Sequence, residues 1–481
     1  MQGMEGEFIS FGPPMPALVL WPASVAFMCL VAIIAWRLPS AAGRFVVLAF
    51  ALRFVASAFH FITFRSSPLG LSWNALISVA LVGLGVMVVR ASRLKLAAMM
   101  PLYLLAIMIV ASGLINREFA GMADMLVKYA FLMMLMLATL DALEDVGAER
   151  FFKALLWAFA LPLSFLYLSV ALGIGKPSAT DGSMSYIGGY NHEAVFSLIL
   201  VAGLAITCLT PRLNGLLKGA LVLAFTGAIV LANYRTSIIG ALPLLAVVIA
   251  TGGTRRFTPR QRPLIAGAMI AVVAMGGIFA AGFGEERFSD LTVAAQQGTQ
   301  LIRPPGEFSV EDRRLLSGRA YIWSEYLYAY AQGSQLQHLL GFGPNSWENR
   351  FRLYAHNTLV STLWELGVVG VAAMILLWSW MLVLAIRIRE GPKLRIVAAQ
   401  VGFILLSLAT MPMWMIEGLM LYAVICGYTI ACAYPGIATA GAGPAAVGRN
   451  WLRMRRLGAA NSTSRVPPTA FRPPLLPSRR R

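Results

Sequence analysis

Charge is what this chain has least of. Only 12% of its 481 residues are Asp, Glu, Lys or Arg, about half of what a water-soluble domain carries. That deficit excludes an ordinary soluble core. Acids are the scarcer sign, 21 against 39 Lys and Arg. Cysteine is nearly absent as well. Cys29, Cys208, Cys426 and Cys432 lie in or at the ends of apolar segments, with no histidine partner and no ligand spacing. Neither a disulfide framework nor a zinc site is expected, and these cysteines read as packing residues. The N-terminus has no basic leader region, and its first apolar segment is too long for the core of a signal peptide. It is expected to remain as the first membrane helix.

What is abundant is apolar sequence. Hydrophobic residues make up 58% of the chain, mean hydropathy is +0.73, and runs of about 20 apolar residues recur throughout. In lipid every backbone amide must be satisfied within its own segment, so such runs are read as helices. Thirteen are legible: 15–36, 45–64, 71–89, 96–115, 120–140, 151–174, 194–210, 216–232, 237–250, 263–283, 357–386, 396–411 and 415–433. The eleventh is read as a short half-helix before Gly367 and a spanning helix after it. The fold class is therefore all-α, a polytopic transmembrane bundle of about 12–13 helices. It carries one large loop, 284–355, containing short interfacial helices.

The formal charge of +18 does not point to nucleic acid, because no basic stripe is interleaved with aromatics. The bases instead gather in alternate short connections. Arg37/Arg44, Arg90/Arg93/Lys95, Arg212/Lys218, Arg255–Arg262 and Arg387–Arg395 form one set. The opposite set holds Glu5 and Glu7, the single Arg65 and Arg117, and the Tyr190 segment. The basic set marks the cytoplasmic side. The N-terminus and the long loop then lie on the outer side. The tail 435–481, with nine arginines and no acid, is cytoplasmic, and its composition is that of a disordered segment able to lie on anionic lipid.

Ionisable residues inside membrane segments are costly and mark candidate function. Arg53 and Lys128 qualify, with a structural ion pair or snorkelling as the equal alternative. Arg235, in the outer turn Asn233–Thr236, is placed to grip a phosphate oxygen through two N–H groups. Arg319 follows Ser317–Gly318 and opens the aromatic run AYIWSEYLYAYAQ, which reads either as an interfacial helix or as packing against the bundle. The turn Gly341–Phe342–Gly343–Pro344 permits close backbone approach to a ligand. His356 and Asn357 stand at the outer mouth of the eleventh segment, with Glu365 inside it. His192, after Gly188-Gly189-Tyr190-Asn191, stands at a similar mouth.

An outer arginine opening a helix, a large loop with SGR…W, a GxG turn and HNTLVSTLWELGVVG together resemble the O-antigen ligase/polymerase family. The resemblance covers roughly 190–434. In the N-terminal transmembrane region, 1–189, the first five segments match only in hydropathy. The resemblance implies a metal-independent inner-membrane glycosyltransferase with no cofactor, working at the periplasmic face on an undecaprenyl-diphosphate-linked glycan. Arg235 and Arg319 would hold the diphosphate, with Arg314 near it. His356 would orient or deprotonate the acceptor hydroxyl. Asn357, Glu365, Gly343, Asn191 and His192 would shape the site. The implied partners are the glycan donor, the acceptor, membrane lipids, and a flippase and a chain-length regulator of the same pathway. Polymerisation of repeat units into a surface polysaccharide (O-antigen or exopolysaccharide) is the leading expectation. Transfer of a finished chain to lipid A–core is the alternative. A lipid-linked sugar transporter is a third reading, although it would need its charges at the bilayer midplane.

Overall fold

The computed structural model describes residues 12–177, 183–252, 301–310, 312–389 and 391–434, with isolated positions between 258 and 267. Among the described residues the structure is all-α apart from a two-residue antiparallel ladder, Lys176–Pro177 with Met184–Ser185, and an isolated bridge, Ser66 with Ser72. We number the principal helices α1 (Ala17–Trp36), α2 (Ala41–Ala58), α3 (Trp73–Val88), α4 (Met100–Asn116), α5 (Phe119–Val146), α6 (Ala148–Leu156) and α7 (Ala160–Ala171). After the ladder come α8 (Glu193–Leu209), α9 (Gly215–Leu231) and α10 (Arg235–Gly252). The long loop contributes α11 (Arg319–Ala331) and α12 (Gln335–Leu340). The bundle closes with α13 (Thr358–Arg387), α14 (Lys393–Ala409) and α15 (Ile416–Ala433). Eight helical stretches among the described residues are long and apolar enough to cross a membrane. α3, α8 and α9 are shorter apolar helices.

The expected segments coincide with these helices, except the tenth, 263–283, which lies almost wholly outside the described residues. The differences have local causes. α5 runs on past Leu140 to Val146 because Asp141 and Glu144 at its end pair with Arg90 and Arg93, and Asp145 pairs with Arg90. The second segment stops at Ala58 instead of Phe64, followed by the single turn His60–Thr63. The sixth is divided by a tight turn at Trp157–Phe159, just ahead of Pro162, which has no N–H to donate and crowds the turn before it.

α8 and α15 are the most enclosed of the described helices, α15 packed on α5, whereas most of α1 faces away from protein. Contacts divide the bundle into two ends. At one, Arg150 donates to the Arg37 carbonyl, Ser40 to Asp145, and both Lys218 and Arg395 to the Cys208 carbonyl. These are the basic connections, gathered together. At the other end α8, α10, α11 and α13 begin.

Two features position that second end. α10 packs along α14 through facing glycines: a Cβ on Gly402 would lie 2.4 Å from the Gly240 carbonyl oxygen. Small residues let the backbones close to this distance. In α13, Gly367 (φ 68°, ψ −169°) breaks the helix as the sequence suggested. The break strips the Trp364 and Glu365 carbonyls of their helical donors. Phe342 N–H (2.8 Å) and Gly343 N–H (3.2 Å) replace them. The GFG turn therefore brings its backbone close to a helix. A Cβ on Gly341 would lie 2.4 Å from the Glu365 oxygen.

Candidate active site

The N-termini of α8, α10, α11 and α13 present the positive ends of their dipoles, a setting that favours an anion. The entries to α10, α11 and α13 are strained. Asn233 (φ 56°), Leu316 (53°), Ser317 (59°) and His356 (50°) are non-glycine residues in the left-handed region, a cost of order 1–3 kcal/mol each that a structure sustains at a working site.

Arg319 is the first residue of α11, and its Nη2 donates to the Thr236 hydroxyl at 3.3 Å. Thr236 follows Arg235, the half-buried first residue of α10. The Thr236 hydroxyl also reaches the Ala409 carbonyl at 3.5 Å. The two arginines thus stand at adjoining helix starts. α11 fixes His356 too. Trp323 Nε1–H donates to the Ala355 carbonyl at 2.8 Å, and the Tyr326 hydroxyl to the Leu353 carbonyl at 3.0 Å. The aromatic run is therefore a clamp on the irregular segment that leads to His356.

The His356 ring lies 4.0 Å from the Tyr354 ring. Its Nδ1 is buried without a hydrogen-bond partner among the described residues. Burial, then the Arg319 charge and His192, push this imidazole down to about 3. Asn357 caps α13, its Oδ1 accepting from Leu359 N–H (2.9 Å) and Val360 N–H (3.2 Å), while Nδ2 donates to the Leu408 carbonyl (2.9 Å). It is a positioning residue for the strained His356.

His192 caps α8 and lies within electrostatic reach of His356, so the two outer mouths read from the sequence are one. Glu193 ties Lys176 at 3.0 Å. The Asn191 Oδ1 and the Tyr234 hydroxyl are buried and unpartnered among the described residues. Burial and Tyr234 push the Tyr354 phenol well up, so it stays protonated.

Other candidates stand apart. Glu365 is buried in α13, accepting from the Ser361 hydroxyl at 3.3 Å, beside a cavity of about 20 Å³ that Lys128 and Trp414 also line. That is space for one water. Gly343 sits at the α13 break. Arg313 covers the Tyr321 ring at 4.9 Å, and the Arg314 side chain lies outside what the structure describes. Lys128 pairs with Asp124 at 2.7 Å and covers Trp414 at 4.3 Å. Arg53 is 1% exposed, so it does not snorkel, and it donates to the Asn74 carbonyl and the Ser78 hydroxyl. Lys176, Glu193, Tyr354 and the buried Glu417 were not singled out from the sequence. An acid at 417 inside an apolar run was the visible signal for the last.

Residues 219–375 match the family model described as O-antigen ligase. That span contains Arg235, Arg319, Gly343, His356, Asn357 and Glu365, and it stops short of His192. No curated protein matches the chain. The described helices make this a multi-pass membrane protein, and over 219–375, about a third of the chain, it is similar to the O-antigen ligase family that the sequence resembled.

Proposed function

We propose that the chain is a metal-independent glycosyltransferase. It takes a glycan from an undecaprenyl-diphosphate carrier at the periplasmic face of the inner membrane and joins it to a sugar hydroxyl, lengthening a cell-surface polysaccharide. The carrying observation is the Arg319–Thr236 contact, which brings the start of α11 to the start of α10 where Arg235 lies, with an unpartnered His356 nitrogen within electrostatic reach of Arg319.

In this reading the acceptor oxygen attacks the anomeric carbon, and its proton passes to His356. The bond from that carbon to the phosphate oxygen breaks, and the diphosphate leaves with the electron pair. Arg235 and Arg319 stabilise the charge that grows on it. His356 is a poor base in the empty site, because burial and Arg319 both disfavour its cation. A diphosphate on Arg319 adds negative charge and raises its proton affinity again. The base is thereby switched on by the donor.

The charges at one end of the bundle favour transfer over transport. The basic connections at the opposite end fit a cytoplasmic face. A deletion strain tests the product: single unpolymerised repeats indicate a polymerase, long chains retained on the carrier a ligase, and unchanged glycans sink the reading.

A further inference from the structure

The His192 ring has a fixed hydrogen-bonding polarity, whereas the buried His356 Nδ1 has no partner among the described residues. His192 Nδ1 accepts the Ala194 backbone N–H at 3.1 Å, capping α8. A backbone amide can only donate, so Nδ1 carries a lone pair, and the proton of the neutral ring sits on Nε2. Protonating Nδ1 would set N–H against N–H and break the cap. Glu193 Oε2 lies 3.4 Å from the same Nδ1, and the Lys176 ammonium 3.0 Å from that oxygen offsets its pull on a ring proton. Burial also holds the His192 imidazole below its usual value. Nε2 has no partner among the described residues, and the side chain is 32% exposed.

We propose that His192 is a neutral hydrogen-bond donor to the diphosphate of the lipid-linked substrate, its Nε2–H bonding a phosphate oxygen, which leaves His356 as the proton acceptor of the pair. This rests on the glycosyl-transfer reading above. A base at His192 would need a lone pair on Nε2, hence the proton on Nδ1 and an uncapped α8. A donor needs nothing to move. The ring lies at a helix N-terminus, where an anion is already favoured, and it adds directionality to the arginine charges without adding charge of its own.

Two substitutions separate the ring's halves. In His192→Asn the side-chain oxygen recaps α8, but no group reaches the Nε2 position. In His192→Gln an amide N–H₂ reaches that position, but the cap is lost. Binding of undecaprenyl diphosphate to the full-length protein in nanodiscs is measured alongside thermal melting. A hydrogen bond to a charged group sets the expected loss in His192→Asn at roughly 10- to 100-fold in affinity, with melting unchanged. The loss should appear in KM for the lipid donor more than in kcat. His192→Gln should bind within a few-fold of wild type and melt slightly lower. Equal binding by His192→Asn and wild type, or equal weakness of both variants, overturns the assignment and leaves the glycosyl-transfer reading standing. A folded wild-type protein that does not bind undecaprenyl diphosphate overturns both.

Discussion

Arg319 reaches across 83 residues of sequence to donate a hydrogen bond to Thr236, the neighbour of Arg235. The contact joins the start of α11 in the long loop to the start of α10 in the bundle. A phosphate oxygen arriving between the helices would compete for that same guanidinium. Arg319→Ala should cut glycan transfer by roughly 10²–10³, the cost of removing one preorganised donor to a developing anion. Arg319→Lys should recover little of it, since an ammonium cannot present a planar fork. Transfer rates in membranes, normalised to protein level, decide this. Wild-type rates in both Arg319→Ala and Arg235→Ala would place the phosphate site elsewhere.

Gly367 gives a prediction about stability. Its φ of 68° is disfavoured for any side chain, and a Cβ there would lie 2.3 Å from the Leu339 carbonyl oxygen and 2.6 Å from Gly341 N. Backbone would have to move. Gly367→Ala should lower the melting temperature in detergent and cost more than about 1 kcal/mol. It should also weaken transfer, because the GFG turn and the α13 start would shift together. Unchanged melting would mean that the break in α13 relaxes without strain.

The spans were readable because lipid imposes a length and an apolar composition on every helix, and the break at Gly367 because ELGVVG sets a glycine after a buried acid. Arg235, Arg319 and His356 were readable as polar residues at apolar borders. Their mutual placement was not. Hydropathy says that His192 and His356 are both at outer mouths, but only the packing of α8 against its neighbours makes those mouths one. The role of the GFG turn was likewise hidden. A glycine turn that can approach a ligand can as well approach a helix, and the freed Trp364 and Glu365 carbonyls decide for the helix. The continuation of α5 to Val146 depended on Arg90 and Arg93, far away in sequence.

Orientation is tested by reporter fusions. Those in 255–262 should report cytoplasm, and one near Gln300 periplasm, since alternate connections carry the basic excess. A cytoplasmic signal near Gln300 would part the site from its substrate.

Strong chelation should leave transfer in purified membranes intact, because the leaving diphosphate is held by arginines in the proposed mechanism. Loss on chelation, restored by magnesium, would replace that mechanism.

His356 gives the prediction that ties chemistry to pH. Its ring takes a proton only near about 3 in the folded protein, against roughly 6.5 in an unfolded chain. The folded-state value is the lower one. Its stabilising contribution is therefore present above about pH 6.5 and is lost as pH falls toward the folded value. Melting temperature should drop on acidification below that point, and His356→Gln should flatten that part of the slope. Transfer should separate from stability. kcat/KM, which reports the free enzyme, should show no acid limb from His356 near pH 6.5, because the ring is already neutral there. His356→Ala should lose roughly 10²–10⁴ in transfer, as for removal of a general base, and still bind undecaprenyl diphosphate through the arginines. An acid limb near pH 6.5 that disappears in His356→Gln would show the ring to be charged in the free enzyme, and the donor-triggered base would have to be abandoned.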